Sequence, residues 1–209
     1  MGIEFLFKII LIVEYSIFTI IRAQYYRLAR KAGYRTITEE SKSYSLLLGL
    51  LITYEVVTFF IYLLYPWALL WAAMSLPLWL RWTGVFIGIT ALLLFIWVHR
   101  SLGSNFSTSL RIKDGHTLVT SGPYRWIRHP MYTAFYLLHF SAFLLMANWF
   151  IGITWIAGLT MIIALRIRRE EAMMIEKFGE SYRYYMMSTS RFIPPIKLNL
   201  FTKKKNRYI

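Results

Sequence analysis

Five apolar runs of membrane-crossing length dominate the sequence, and almost every positive charge lies in the gaps between them. The runs are Phe5–Ile21, Leu46–Tyr65, Trp82–Val98, Tyr132–Ala147 with its flanks, and Trp149–Leu165. A helix needs roughly 20 apolar residues, or about 17 at the short end, to cross a hydrocarbon core of about 30 Å. Lipid offers no hydrogen-bond partner to an open backbone, so such runs are constrained to be helices. Composition agrees, with 57% of residues hydrophobic against about 45–50% in soluble domains. Only Asn148 separates the last two runs, which predicts a tight helical hairpin. Pro66–Leu80 is also apolar, but Pro66 and Pro77 interrupt it. As helix it reaches only about 22 Å. Trp67, Trp71 and Trp79 suit a membrane interface, so this stretch is expected to lie along the outer surface as a loop.

Charge fixes the orientation. Lys and Arg number 6 in residues 22–43, 5 in 100–130 and 11 in 166–209, leaving only Lys8 and Arg81 elsewhere. With five spans these three regions share one face, which the positive-inside rule makes cytoplasmic, with the N-terminus outside. Phe5–Ile21 is not expected to be a signal peptide, because its basic flank follows the apolar run. The net charge of +14 belongs to membrane topology and not to a nucleic-acid surface. The absence of cysteine excludes disulfides, thiolate metal sites and thiol nucleophiles. No His/Asp/Glu spacing argues for a metal. The expected fold is therefore all-α and integral to the membrane, with about five transmembrane helices. It forms one domain over 1–209: three spans in 1–98, a polar loop, hairpin and cytoplasmic segment in 99–196, and a basic tail in 197–209 suited to anionic headgroups.

Polar chemistry concentrates in two places on that cytoplasmic face. The first is His116–Tyr132, HTLVTSGPYRWIRHPMY. Asp114-Gly115 and Gly122-Pro123 mark turns on either side of an extended strip from His116 to Thr120. Pro130 suits the first turn of the fourth helix. Arg128 and His129 then stand at a helix N-terminus, where free N–H groups favour an anion. The second place is the run Arg166-Ile167-Arg168-Arg169-Glu170-Glu171. Arg166 and Glu170 are four apart and share a helix face. They can form a simple ion pair at a helix end. Equally, a guanidinium at that depth can grip a carboxylate or phosphate whose apolar tail stays in lipid, while Glu170 accepts hydrogen bonds from a polar cofactor.

Elsewhere, Glu14, Glu55 and His139 fall inside apolar runs. Intramembrane ionisable groups mark function by default. The plainer reading has them hydrogen-bonded within the bundle: Glu14 or Glu55 to Tyr15 or Tyr54, and His139 to a neighbouring helix. A polar path in a small transporter is the other reading. Lys8 is placed to pair with Glu4, and Gly84 with Gly88, four apart, permits close helix contact.

A pattern runs through the polar residues: His116-Thr117-Leu118-Val119, Gly122-Pro123-Tyr124-Arg125, Arg128-His129-Pro130-Met131-Tyr132, Arg166 with Glu170-Glu171, Phe178-Gly179-Glu180-Ser181-Tyr182, Tyr185 and Ile193-Pro194. In order and spacing it is similar to the isoprenylcysteine carboxyl methyltransferase family, related to membrane phospholipid methyltransferases. The likeness covers about 80 residues of the C-terminal part, and the five-span form resembles prokaryotic members. It implies S-adenosylmethionine as methyl donor, with S-adenosylhomocysteine as product. His116, Thr117, Leu118, Val119 and Tyr124 would then line the cofactor pocket, with His129, Pro130, Met131, Tyr132 and Glu170 holding the cofactor. Arg166 would face the substrate carboxylate, and Arg166 and Glu170 would be the catalytic pair. The implied partners are a lipid-like or prenylated substrate and membrane lipids, in a cell membrane or the endoplasmic reticulum. A carboxylate acceptor, ionised near neutral pH, needs no general base. Phospholipid N-methylation would need one, with Glu170, Glu171 or His129 as candidates. Sterol reductases with a nicotinamide cofactor share a related C-terminal arrangement.

Overall fold

A computed structural model describes residues 2–31, 42–103 and 117–194. His116, the Asp114-Gly115 turn and the basic tail lie outside the described residues. All five apolar runs are helical. They form α1 (Ile3–Lys31), α2 (Lys42–Leu64), α3 (Leu78–Leu102), α4 (Pro130–Met146) and α5 (Trp149–Phe178), followed by a short α6 (Glu180–Ser188). By length and composition α2, α3 and α5 can each cross a membrane, at 23, 25 and 30 residues. α4 is a shorter apolar helix, and α1 runs 29 residues with Glu4, Lys8 and Glu14 among its apolar side chains. No strand occurs among the described residues, and the protein is a multi-pass helical membrane protein.

Pro66–Leu80 is part turn, part helix. Pro66 opens a 3-10 helix that ends at Ala72, and Pro77 sits immediately before α3, which starts earlier than its apolar run suggests. Trp67, Trp71 and Trp79 are all exposed, as an interfacial position requires. The α4–α5 hairpin turns on two residues. Ala147 takes the left-handed conformation (φ 47°), and the Asn148 side chain accepts a hydrogen bond from the Ile151 amide at 3.0 Å, capping α5. Asn148 Nδ2 also donates to the Leu69 carbonyl at 3.0 Å, fastening the hairpin to the 3-10 turn.

Small residues let the helices close. A Cβ on Gly84 would stand 2.9 Å from Leu144 Cβ, and one on Gly88 would overlap the Glu14 carboxyl. The close contact expected of these two glycines is therefore between α3 and its neighbours in this bundle. Phe7, Leu11, Leu145, Ile151 and Trp155 fill the adjoining core.

The intramembrane carboxylates do not take the expected tyrosine partners, whereas His139 bonds a neighbouring helix as expected. Ser141 Oγ donates to Glu14 Oε2 at 3.0 Å, and His139 Nε2 lies 3.4 Å from Glu55 Oε1. Neither tyrosine serves: Tyr54 bonds Thr154 at 2.7 Å instead, and the Tyr15 hydroxyl has no partner among the described residues. His139 Nδ1 is held by the Phe135 carbonyl at 2.9 Å, which leaves Nε2 for Glu55. Glu4 does not pair with Lys8. It takes Arg81, whose Nη2 is 3.0 Å from Oε2 and 2.7 Å from the Leu145 carbonyl, while the Arg81 guanidinium lies 4.1 Å from the Phe7 ring centre. Arg81 is nearly fully buried, so it needs the charge partner more than the half-buried Lys8 does. Lys8 instead approaches the Leu63 carbonyl at 3.5 Å and the Tyr62 ring at 5.2 Å.

Candidate active site

α5 continues beyond its apolar stretch, and its last turns carry the charged run. Ile167 and Glu171, four apart, are buried, so this face of the helix packs inward. Arg166 Nε bonds Glu170 Oε1 at 2.6 Å, so the ion pair allowed by the spacing forms. Glu170 Oε2 also lies 3.6 Å from His129 Nδ1, and Tyr132 interacts electrostatically with the same carboxylate. The His129 and Tyr132 rings stack at 5.6 Å with an interplanar angle of 18°. Tyr124 joins the cluster from the 3-10 turn Gly122–Arg125. Its phenol is pushed well above the ordinary range, first by burial and then by Tyr185 and Glu170. Tyr185 of α6 donates to the Tyr124 carbonyl at 2.6 Å and holds the turn in place.

The turn itself depends on Gly122. Its φ is +60°, which disfavours side chains, and a Cβ there would run into Ser101 and approach Trp97 Nε1 at 3.3 Å at the end of α3. The structure thus brings together Tyr124, His129, Tyr132, Arg166 and Glu170. Pro130 is buried at the first position of α4, as expected, and Met131 beside it is half-buried. Thr117, Leu118 and Val119 carry no regular secondary structure. Thr117 is exposed, and Leu118 and Val119 are half-buried.

The start of α4 is partly closed to an anion. Residues Thr189–Phe192 return as a strap alongside Ile127–His129. Ile127 bridges Ser190 in parallel fashion, the Arg128 amide donates to the Ser190 carbonyl at 2.8 Å, and the His129 amide to the Arg191 carbonyl at 2.9 Å. Thr133 Oγ1 bonds the Phe192 carbonyl at 2.8 Å, and the amides of Tyr132 and Thr133 turn back to the His129 carbonyl. The amides of Arg128, His129, Tyr132 and Thr133 are thus taken by backbone acceptors.

A residue considered from the sequence only as a base for N-methylation holds this strap. Glu171 is 4% exposed and accepts from three groups. Arg191 reaches it twice, Nη2 at 2.6 Å and Nε at 3.1 Å, Arg128 Nε lies at 3.3 Å and His129 Nε2 at 3.4 Å. Arg128 also donates to the carbonyls of Met186 and Thr189. His129 therefore stands between the two adjacent carboxylates, one structural and one facing the cluster. The signal that marks this arrangement is the basic Arg191 immediately before Phe192-Ile193-Pro194.

Residues 83–176 match the model of the isoprenylcysteine carboxyl methyltransferase (ICMT) family. Over these residues the chain is similar to that family. The human protein-S-isoprenylcysteine O-methyltransferase is 30% identical over 129 residues, covering 61% of this chain and 45% of the human one. The Schizosaccharomyces pombe enzyme of the same name is 35% identical over 97 residues, 45% of this chain and 41% of that one. A solved structure of the eukaryotic intramembrane Ras methyltransferase, an isoprenylcysteine carboxyl methyltransferase, superposes with a TM-score of 0.56 at 26% identity. That match covers 76% of this chain and 54% of the solved one. The chain thus spans about half the length of the isoprenylcysteine methyltransferases it resembles. The family match takes in His129, Tyr132, Arg166, Glu170 and Glu171, and stops short of the strap and α6.

Proposed function

We propose that this protein is an S-adenosylmethionine-dependent membrane methyltransferase that esterifies the carboxylate of an isoprenylcysteine-like or similar lipid-like acceptor. The observation that carries the reading is the linked set Arg166–Glu170–His129–Tyr132 at the end of a membrane-length apolar helix, inside the family match. The side chains fit the cofactor. Glu170 offers carboxylate oxygens to ribose hydroxyls or an ammonium group, and the stacked His129 and Tyr132 rings give a flat apolar wall suited to adenine. His116–Val119, Tyr124, Pro130 and Met131 complete the proposed pocket. When bound, the sulfonium supplies the electrophilic methyl group.

The acceptor carboxylate is already ionised near neutral pH, so the protein has no proton to remove. Its task is alignment and charge placement. Arg166 takes the carboxylate in a two-point grip and orients one oxygen toward the methyl group. Glu170 fixes the Arg166 fork from below and the cofactor from beside it. Tyr132 and Tyr124, both protonated phenols, donate hydrogen bonds without adding charge. Lipid-side entry lets the acceptor tail stay in the bilayer while the head meets the site. The site faces the cytoplasm, where the donor is made, with the N-terminus of a five-span chain outside.

The test is a labelled-methyl assay with an S-prenylcysteine acid and phosphatidylethanolamine offered side by side. The reading expects label in a methyl ester, which releases volatile methanol in base. Base-stable label on the phospholipid amine, or no transfer to the acid, contradicts it.

A further inference from the structure

The amino-terminal helices lie outside the family match, yet they bring two side chains to Arg166. Arg22, just past the apolar run of α1, sets its guanidinium over the Phe135 ring of α4, 5.6 Å from the ring centre. Phe135 in turn lies 6.4 Å from Tyr132, whose ring stacks on His129 beside Glu170. Arg22 and Arg166 act on each other as like charges. Arg166 has Glu170 as counterion, whereas Arg22 has no carboxylate partner among the described residues. Arg22 is exposed, so it forms the rim of the site and not its floor. The second side chain is Tyr44, in the first turn of α2. It is buried, its hydroxyl has no hydrogen-bond partner among the described residues, and its phenol interacts electrostatically with both Arg166 and Tyr132.

These groups have one chemical character in common. Two guanidiniums and a buried phenol O–H converge, and all can donate. Like charges at a membrane edge repel one another until an anion lies between them, and a buried O–H without an acceptor is costly. An acidic head presenting two or more oxygens satisfies all three. With Arg166 already neutralised by Glu170, the net positive charge of the pocket comes from Arg22. That charge repels a protonated amine and attracts a carboxylate.

We propose that Arg22 and Tyr44 complete the acceptor site beside Arg166, and that Arg22 makes it select an anionic head over an amine or a neutral one. This rests on the methyl-transfer reading and extends it to residues that no motif marks. Arg22 and Tyr44 are binding and specificity residues, not participants in the displacement.

The experiment measures binding, not turnover. The full chain in detergent micelles is saturated with S-adenosylhomocysteine and titrated with an N-acetyl-S-prenylcysteine acid and, separately, its carboxamide. The wild type binds the acid more tightly. Arg22→Met weakens the acid by about 10- to 100-fold, the loss of one charge-assisted hydrogen bond. It leaves the carboxamide and S-adenosylhomocysteine unchanged, and Arg22→Lys recovers part of the loss. Tyr44→Phe weakens the acid by about three- to tenfold, again with cofactor binding kept. An Arg22→Met protein that binds the acid as the wild type does overturns the inference. So does one that loses S-adenosylhomocysteine and carboxamide affinity in parallel with the acid, since Arg22 is then structural. A wild type that binds acid and carboxamide alike overturns the carboxylate-acceptor reading itself, and this inference with it.

Discussion

Replacing Glu171 should unfasten the strap and expose the division between the two neighbouring carboxylates. Glu171 is 4% exposed and serves two arginines and a histidine. Its arms differ in environment. The Arg128 side chain is 9% exposed and that of Arg191 47%. Water therefore screens the Arg191 arm, worth about 0–1 kcal/mol despite its short distance. The Arg128 arm is not screened, and breaking a buried pair by removing one partner costs about 3–5 kcal/mol. Glu171→Ala should lose that amount, and Glu171→Gln, which keeps shape and one acceptor, roughly 2–3 kcal/mol. For a chain of this size each kcal/mol shifts the melting midpoint by about 2–4 °C, so Glu171→Ala should fall on the order of 10 °C. Thermal unfolding in a fixed detergent reads this directly. A double-mutant cycle separates the arms: coupling of Glu171 to Arg128 should be about 1.5–3 kcal/mol and to Arg191 below about 1 kcal/mol. A Glu171→Gln protein within about 0.5 kcal/mol of wild type, or coupling carried mainly by Arg191, would refute the assignment of a buried clamp.

Three further outcomes follow from local geometry. Gly88→Ala drives a methyl into the Glu14 carboxyl and should lower folded yield sharply, while Gly49→Ala, which meets nothing within 4 Å, should match wild type in the same melting assay. Gly122→Ala meets both a positive φ and Ser101, so it should cost more than the roughly 1–2 kcal/mol of the backbone conformation alone and weaken S-adenosylhomocysteine binding by displacing Tyr124. The Tyr185 phenol is pushed up to about 12 by burial, against the pull of Arg128 and Thr189, from an ordinary value of 10.0. Its stabilising contribution is therefore complete below about pH 10 and lost as pH climbs toward about 12, roughly 2 kcal/mol in all. Tyr185→Phe should make that alkaline loss shallower, leaving the share of Tyr124, which burial also raises.

The parts of the fold that depend on local pattern were legible in the chain. Apolar length marked the helices, Asn148 marked the hairpin, Pro130 marked the start of α4, and the four-residue spacing of Arg166 and Glu170 allowed a pair that forms at 2.6 Å. What escaped were contacts between residues far apart in the chain. Arg191 and Ser190 meet Arg128 and His129 through backbone bonds, and such bonds carry no side-chain signature. The strap narrows the anion site expected at the α4 N-terminus, because its carbonyls take the Arg128 and His129 amides. Glu170 and Glu171 are adjacent and identical in type, so the sequence could not say which one is buried. The 100° between them on the helix decides it, turning Glu171 inward beside Ile167. Likewise Glu4 chose Arg81 over Lys8 because burial, invisible in a local window, makes Arg81 need a partner.

The central claim is that Arg166 holds the acceptor while the His129–Tyr132–Glu170 side of the site holds the cofactor. The measurement that reaches it most directly is Arg166→Ala, read twice on one preparation: equilibrium affinity for S-adenosylhomocysteine, and single-turnover formation of base-labile methyl ester on an S-prenylcysteine acid. The account predicts cofactor affinity within about threefold of wild type and ester formation reduced by at least about 100-fold, as for the loss of a charge-assisted contact to the reacting group. Ester formation close to wild type, or a loss of cofactor affinity that accounts for the whole defect, would contradict it.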